Sequence, residues 1–285
     1  MDAAWPALLR RIWQGTLDAL FPAPPLCPGC QRPNRYGKGL CPGCLGRIPR
    51  VAPPFCLRCG RPLRGSGVGA GGRDNTDPDG AELCSPCRHA PYLFSVARAP
   101  GVYEGALRDY IHRVKFGADR ALGEALGEFL AGSAPRFREL WPVDAVIPVP
   151  LHPARLVERG FNQAEVLARA VANRVAKPLW THVLERIRPT TAQARLAVES
   201  RRANVWGAFR VREAGALAGK RILLVDDVLT SGATAGEAAR VLLRAGAAEV
   251  KVLCLAVGAY EREWLWRQVE NDKTPRIFLA RERTS

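Results

Sequence analysis

Eight cysteines in four C-x-x-C pairs, Cys27/Cys30, Cys41/Cys44, Cys56/Cys59 and Cys84/Cys87, decide how the first third of this chain can fold. Between Cys27 and Cys87 the sequence is rich in Pro, Gly and Arg and carries too few large aliphatic residues for a hydrophobic core. Something other than apolar burial has to hold it. A two-residue spacer puts two thiolates on one turn within reach of one metal, and two such pairs complete a tetrahedral Cys₄ zinc site. A disulfide framework is the alternative. It suits short secreted chains, whereas this one is long, has no secretory signal and carries a large apolar remainder. Two structural zinc ions are expected, held by Cys27, Cys30, Cys41, Cys44, Cys56, Cys59, Cys84 and Cys87. Spacing allows the pairs to combine in sequence order or crossed; the short gap between Cys30 and Cys41 favours sequence order. The stretch Arg64 to Ala81 (RGSGVGAGGRDNTDPDGA) reads as a surface loop inserted in this metal-held unit. The ninth cysteine, Cys254, sits in an apolar strand pattern and is expected to be a buried apolar residue.

The remainder can build a full-sized core, since 47% of the 285 residues are hydrophobic and 24% charged, which excludes disordered and fibrous classes. No segment approaches the roughly 18 to 20 apolar residues of a membrane-spanning helix. At the N-terminus, Arg10 and Arg11 interrupt what would be the apolar core of a signal peptide, so a cytoplasmic, unprocessed protein is expected. Residues 5 to 21 place Trp5, Leu8, Leu9, Ile12, Trp13, Leu17, Leu20 and Phe21 on one helical stripe. That amphipathic helix is expected to pack on the protein; the alternative is peripheral membrane or partner contact through Trp5 and Trp13. The net charge of +15 suits partners that carry phosphate. Two zinc ions on eight thiolates would lower it to about +11, still basic.

After Pro91, short β-branched runs alternate with helix-period stretches, as in an α/β domain. Strands are expected at Leu93 to Arg98, Ala145 to Val149, Arg221 to Asp226 and Glu249 to Val257, and helices at Glu104 to Phe116, Ala121 to Leu130, Asn162 to Ala176 and Thr234 to Ala245. Fully apolar strands imply a parallel sheet covered on both faces. The expected organisation is an N-terminal helix (1–22), a cysteine-rich module (23–90), an α/β domain (91–258) and a tail (259–285) whose first part places Trp264 and Trp266 on a short helix.

The segment RILLVDDVLTSGATAGEAARVLLRAG (Arg221 to Gly246) carries the chemistry. An apolar strand runs into two carboxylates, then a hydroxyl- and glycine-rich loop, then a helix. At such a junction backbone N–H groups converge, and a glycine lets a phosphate approach them. Asp226 and Asp227, expected at the carboxyl end of the strand, can accept hydrogen bonds from vicinal ribose hydroxyls or hold a divalent metal. Thr230, Ser231, Gly232, Ala233 and Thr234 form the expected phosphate cradle, so the pair and the loop together describe a ribose 5-phosphate site. A plain acidic turn would not need both parts, and the G-K-[S/T] ending of a P-loop is absent.

LLVDDVLTSGAT resembles the signature of type I phosphoribosyltransferases, which bind 5-phosphoribosyl pyrophosphate (PRPP). With the N-terminal helix, the four cysteine pairs, YEGALRDYIHRVKFG (Tyr103 to Gly117), IPVPLHPARLVERGFNQAEVLA (Ile147 to Ala168) and TTAQARLAVESRRANVWGAF (Thr190 to Phe209), the chain resembles the ComF family from about Trp5 to Val257. The resemblance implies a type I phosphoribosyltransferase-like parallel-sheet domain preceded by a double zinc ribbon. It further implies PRPP with Mg²⁺, Asp226 and Asp227 at the ribose hydroxyls, and residues 230 to 234 at the 5′-phosphate. Lys115, Arg155, Arg159, Asn162 and Gln163 are the candidates for the pyrophosphate or the incoming group, and Thr190 to Phe209, with Gln193, Arg201, Arg202 and Asn204, for a flap over the site. His112 and His152 are read as structural. The implied role is DNA uptake, with single-stranded DNA and a helicase as partners; the alternative is a Mg²⁺-dependent phosphoribosyltransferase acting on an unidentified base or amine.

Overall fold

A computed structural model describes residues 24–37, 39–63, 83–89, 92–189 and 203–258. The expected N-terminal helix, the loop from Arg64 to Ala81, the tail from Ala259 onward and the greater part of the expected flap, 190–202, lie outside the described residues. Two short helices, α1 (Pro42–Gly46) and α2 (Ser85–His89), belong to the cysteine-rich part. Then follow β1 (Ala97–Arg98), β2 (Gly101–Val102), α3 (Gly105–Phe116), α4 (Arg120–Ser133), β3 (Ala145–Pro148), α5 (Pro153–Arg159), α6 (Gln163–Arg174), β4 (Leu184–Arg186), β5 (Phe209–Val211), β6 (Arg221–Leu229), α7 (Ala233–Arg244) and β7 (Glu249–Val257).

The main sheet is parallel. β6 pairs with β3 on one side and β7 on the other, and β1 and β2 both pair with the far edge of β7. Side chains alternate across β6, so Ile222 and Leu224 enter one apolar core, with Val252, Cys254 and the α7 residues Ala238 and Leu242. Leu223 and Val225 enter the other, with Leu107, Leu126, Leu167 and Leu253 from α3, α4, α6 and β7. Burial on both faces is why these strands read as uninterrupted apolar runs. Cys254 is fully buried in the first core. β4 and β5 form a separate antiparallel pair.

Two strand expectations need correction. Only Ala97–Arg98 of the segment from Leu93 to Arg98 is strand, and after Pro100 breaks the ladder Gly101–Val102 resumes pairing with β7. β6 does not stop at Asp226 but runs to Leu229, because β7 keeps pairing with it as far as Leu229↔Val257. Beyond β3, α5 begins at Pro153, a helix the periodicity of the sequence did not mark. Pro153 at its first turn and His152, whose Nδ1 accepts from Ala154 N at 3.3 Å, start that helix. It buries no residue, so it has no apolar stripe to read. Among the described residues no helix is long and apolar enough to cross a membrane.

Leu224 lies at the centre of β6 and is fully buried. Leu224→Ala is expected to lower the unfolding free energy by about 2–5 kcal/mol through lost burial and the cavity left behind. Urea titration should show an earlier midpoint with an unchanged slope.

Candidate functional site

The cysteines assemble in sequence order. Cys27, Cys30, Cys41 and Cys44 form one cluster and Cys56, Cys59, Cys84 and Cys87 another, with the sulfurs of each within 4.8 Å of one another. Cys30 Sγ and Cys41 Sγ are 3.8 Å apart and Cys59 Sγ and Cys84 Sγ 3.6 Å. A tetrahedron with metal–sulfur bonds near 2.3 Å has edges of about 3.8 Å, so both clusters fit a zinc ion. Burial pushes the Cys27 thiol up, but backbone N–H groups of Cys41, Cys30 and Gly29 outweigh it and bring it down to about 6, whereas burial pushes Cys44 of the same cluster up to about 12. Each cluster joins a different core. The first packs with α3, and Arg113 of that helix donates to the carbonyls of Pro28 (2.7 Å) and Gly29 (2.8 Å) within its knuckle. The second packs with Phe94, Ala97 and α7, and Ala97 N donates to Arg58 O at 2.7 Å.

β3 ends at Pro148, opposite Val225, while β6 continues for four more residues. Asp226 and Asp227 therefore lie just past the point where β6 loses one neighbour. The β alternation sends them to opposite faces of the sheet. Asp227 meets α3, where Lys115 Nζ lies 2.9 Å from Oδ2 in a largely buried ion pair. Burial lowers the Lys115 pKa, but Asp227 and Asp226 outweigh it and leave the pKa raised, so this lysine stays charged. Asp226 is pushed up to about 7, first by burial and then by the adjacent Asp227 charge, although it accepts from Asp227 N at 2.8 Å. The charges facing it are Lys115 and Arg186.

Past the strand, Gly232 takes φ 74° and is the residue from which α7 starts. A β-carbon there would fall 2.5 Å from the Tyr92 ring, so glycine is required by backbone and by neighbour alike. Ala233 N leans on Ser231 Oγ at 3.4 Å, and the open first turn of α7 presents N–H groups that favour an anion. Two residues of the cysteine-rich side hold this loop from behind. Tyr92 Oη donates to Ser231 O at 2.7 Å, and Arg61 Nη2 donates to Thr230 O.

The remaining candidates divide. Lys115, Gln163 and Asp227 share a cavity of about 10 Å³ with Ile111, Val114 and Leu167, enough for one water. Gln163 is buried; its Oε1 accepts from Arg159 Nη1 at 3.1 Å, and its Nε2 has no hydrogen-bond partner among the described residues. Arg159 is half-buried against the Phe116 ring, 5.7 Å from its centroid, and burial lowers its pKa while Asp227 opposes the change. Arg155 sits on the outer surface with Glu158 at 3.2 Å. Asn162 uses both ends of its amide on backbone, donating to Val149 O and accepting from Ala164 N, each at 3.1 Å.

Sequence reasoning did not single out Arg186, Arg61 or Tyr92. Arg186, on β4, is mostly desolvated; burial lowers its pKa and the Asp226 charge opposes that. Together with Arg159 it brings positive charge to the acidic pair. Its only sequence signal is a basic residue in a weak strand. The base of the hairpin is held by α7, where Glu237 is buried, accepts from Gly207 N at 2.8 Å and pairs with Arg240 at 2.7 Å.

Comparison with known proteins agrees with this architecture. The family model of the phosphoribosyl transferase domain matches residues 161–272, and that of the double zinc ribbon domain residues 16–88. The molecule is thus a phosphoribosyltransferase-type α/β fold joined to a double zinc ribbon. It is 31% identical over 240 residues to the DNA utilization protein YhgH of Escherichia coli O157:H7, covering 83% of this chain and 98% of that one. It is also 31% identical over 224 residues to Competence protein F of Haemophilus influenzae, covering 76% and 90%. Competence protein ComFC of Streptococcus pneumoniae is 30% identical over 158 residues, covering 55% and 66%. The chain belongs to the ComF family.

Metal analysis of protein purified without added metal is expected to return about two zinc ions per chain. Thiol titration under denaturing, metal-free conditions should then find all nine cysteines reduced.

Because the folded pKa of Asp226 lies above its unfolded value, the stability it contributes is present at low pH and lost as pH rises toward about 7. Asp226→Asn should therefore gain stability relative to wild type between about pH 5.5 and 8, by about 1–2 kcal/mol, in parallel urea titrations.

Proposed function

We propose that this chain binds PRPP, or a closely related ribose phosphate, at the junction of β6 and α7, and that it does so as a cytoplasmic DNA-uptake protein. The observation that carries the reading is the acidic pair placed where β3 leaves β6, beside a glycine-started helix and with Arg159 and Arg186 charged against it. In this reading the 5′-phosphate accepts hydrogen bonds from the first-turn N–H groups of α7 and from the hydroxyls of Thr230, Ser231 and Thr234. The ribose hydroxyls donate to Asp226 and Asp227, and Lys115 shifts from Asp227 toward the pyrophosphate. Arg159 and Arg186, with Arg155 at the outer edge, pair with pyrophosphate oxygens; their partial desolvation strengthens each contact. Mg²⁺, which Asp226 and Asp227 would hold, supplies further neutralisation of the pyrophosphate charge when bound.

The names of the relatives, which refer to DNA utilization and competence, support the DNA role, as does the basic charge of the chain. A backbone phosphate of single-stranded DNA has the chemistry the cradle accepts, and the zinc-ribbon part, with its own arginines, offers a surface to DNA or a helicase.

Calorimetry with PRPP and Mg²⁺ is expected to show binding by wild type and at least a tenfold loss in the Asp226→Asn/Asp227→Asn double variant, since amides hold neither diol nor metal as well. Equal binding by both would put the ligand elsewhere. Fluorescence anisotropy should show a labelled oligonucleotide bound with log affinity falling linearly against log salt, at about 0.7 per phosphate neutralised, and displaced in part by PRPP. Pyrophosphate release on adding a candidate base would make the protein an enzyme as well as a binder.

A further inference from the structure

We propose that the second cysteine cluster sets the conformation of the phosphate loop through Arg61 and Tyr92, so that metal bound by Cys56, Cys59, Cys84 and Cys87 and an anion bound at residues 230–234 stabilise one another. The linkage rests on the reading of that loop as the phosphate cradle.

Arg61 follows the Cys56–Cys59 knuckle and is fastened to it. Cys56 N donates to Arg61 O at 2.8 Å, Phe55 bridges Pro62, and Gly60 N donates to Cys56 O at 2.9 Å. The knuckle is in turn seated on the sheet. Gly60, at φ 69°, lies so close to β1 that a β-carbon would fall 2.8 Å from Ala97 O, and Ala97 N donates to Arg58 O. From this fixed base the buried Arg61 side chain reaches Thr230 O. Tyr92 is placed by the same core. Its ring stacks on Phe94 with centroids 4.7 Å apart, and Phe94 is buried in the cluster that contains the four cysteines.

The two tethers act through the planarity of the peptide bond. In a trans peptide the N–H points opposite to the C=O of the same plane. Holding Thr230 C=O toward Arg61 therefore aims Ser231 N–H away from the cysteine-rich side, and holding Ser231 C=O toward Tyr92 Oη does the same for Gly232 N–H. The ring over Gly232 closes the rear of the loop. Two carbonyls are engaged from behind, and two donors are presented in front. Loss of metal frees the knuckle, loosens Arg61 and removes that alignment. By reciprocity, an anion that needs the aligned loop must strengthen metal retention by the same factor. Arg61 and Tyr92 are thus positioning residues.

The test uses the full-length zinc-loaded protein. Amide hydrogen exchange is followed in a peptide covering residues 228–236 and in control peptides from β6 and β7. Tyr92→Phe, which keeps the ring stack and loses only the hydroxyl, and Arg61→Lys are each expected to speed exchange in the loop peptide by up to about tenfold, the worth of one hydrogen bond, with the controls unchanged. Zinc release to a chromogenic chelator is then timed with and without PRPP. It should slow several-fold in wild type and by a smaller factor in Tyr92→Phe. Unchanged loop exchange in both variants would overturn the proposal, as would a PRPP effect on zinc release that is equal in wild type and variant. Failure of PRPP to bind wild type would instead overturn the ligand reading; the exchange comparison would still decide whether the cysteine cluster anchors the loop.

Discussion

β6 has two neighbours for its first half and one for its second. β3 leaves the sheet after Pro148, whereas β7 pairs with β6 to its end. A strand flanked on both sides, with apolar residues on both faces, disfavours charge. Where β3 leaves, carboxylates can exist without being fully desolvated, and it is there that Asp226 and Asp227 occur. The helix that follows, the loop that joins it and the basic side chains that gather round all take their positions from that one asymmetry of strand length.

The acidic pair sits between water and core. Sequence neighbours on a strand face opposite ways, so two carboxylates that look equivalent in the sequence meet different surroundings. Asp227 is answered by Lys115 from α3. Asp226 lies against the more buried face, and its protonation is shifted toward neutral pH. In the proposed function, a ligand that brings hydroxyl groups or cations to this pair would replace the Lys115 contact of Asp227 and relieve the repulsion between two adjacent charges. Arg159 and Arg186 are partly desolvated beside the pair, and the carboxylate charges offset part of that cost.

The cysteine clusters grip the α/β part at two places, one on each face of the sheet. Arg113 ties the first knuckle to α3, the helix that bears Lys115. Arg61 ties the second to the loop before α7. With few aliphatic residues of its own, the cysteine-rich segment takes its apolar burial from the cores of the sheet. Removing it would expose both cores and release two of the elements that frame the site.

Much of this was legible in the sequence because it rests on local chemistry. The C-x-x-C spacing implies metal clusters, the apolar runs at 145–148, 222–225 and 252–257 imply a covered parallel sheet, and the glycine of Thr-Ser-Gly-Ala-Thr, soon after the acidic pair, implies the start of a helix. Each of those signals lies within a few consecutive residues. What only tertiary structure decided was the set of relations between distant segments. These include the order in which cysteine pairs combine, Arg186 facing Asp226, Asn162 spent on backbone where Gln163 is buried beside Arg159, and Arg61 and Tyr92 behind residues 230–232. A long arginine in a chain with many others has no periodicity or spacing to mark it. Its partner is set by which elements the sheet brings side by side, and that depends on where β3 ends and β7 continues.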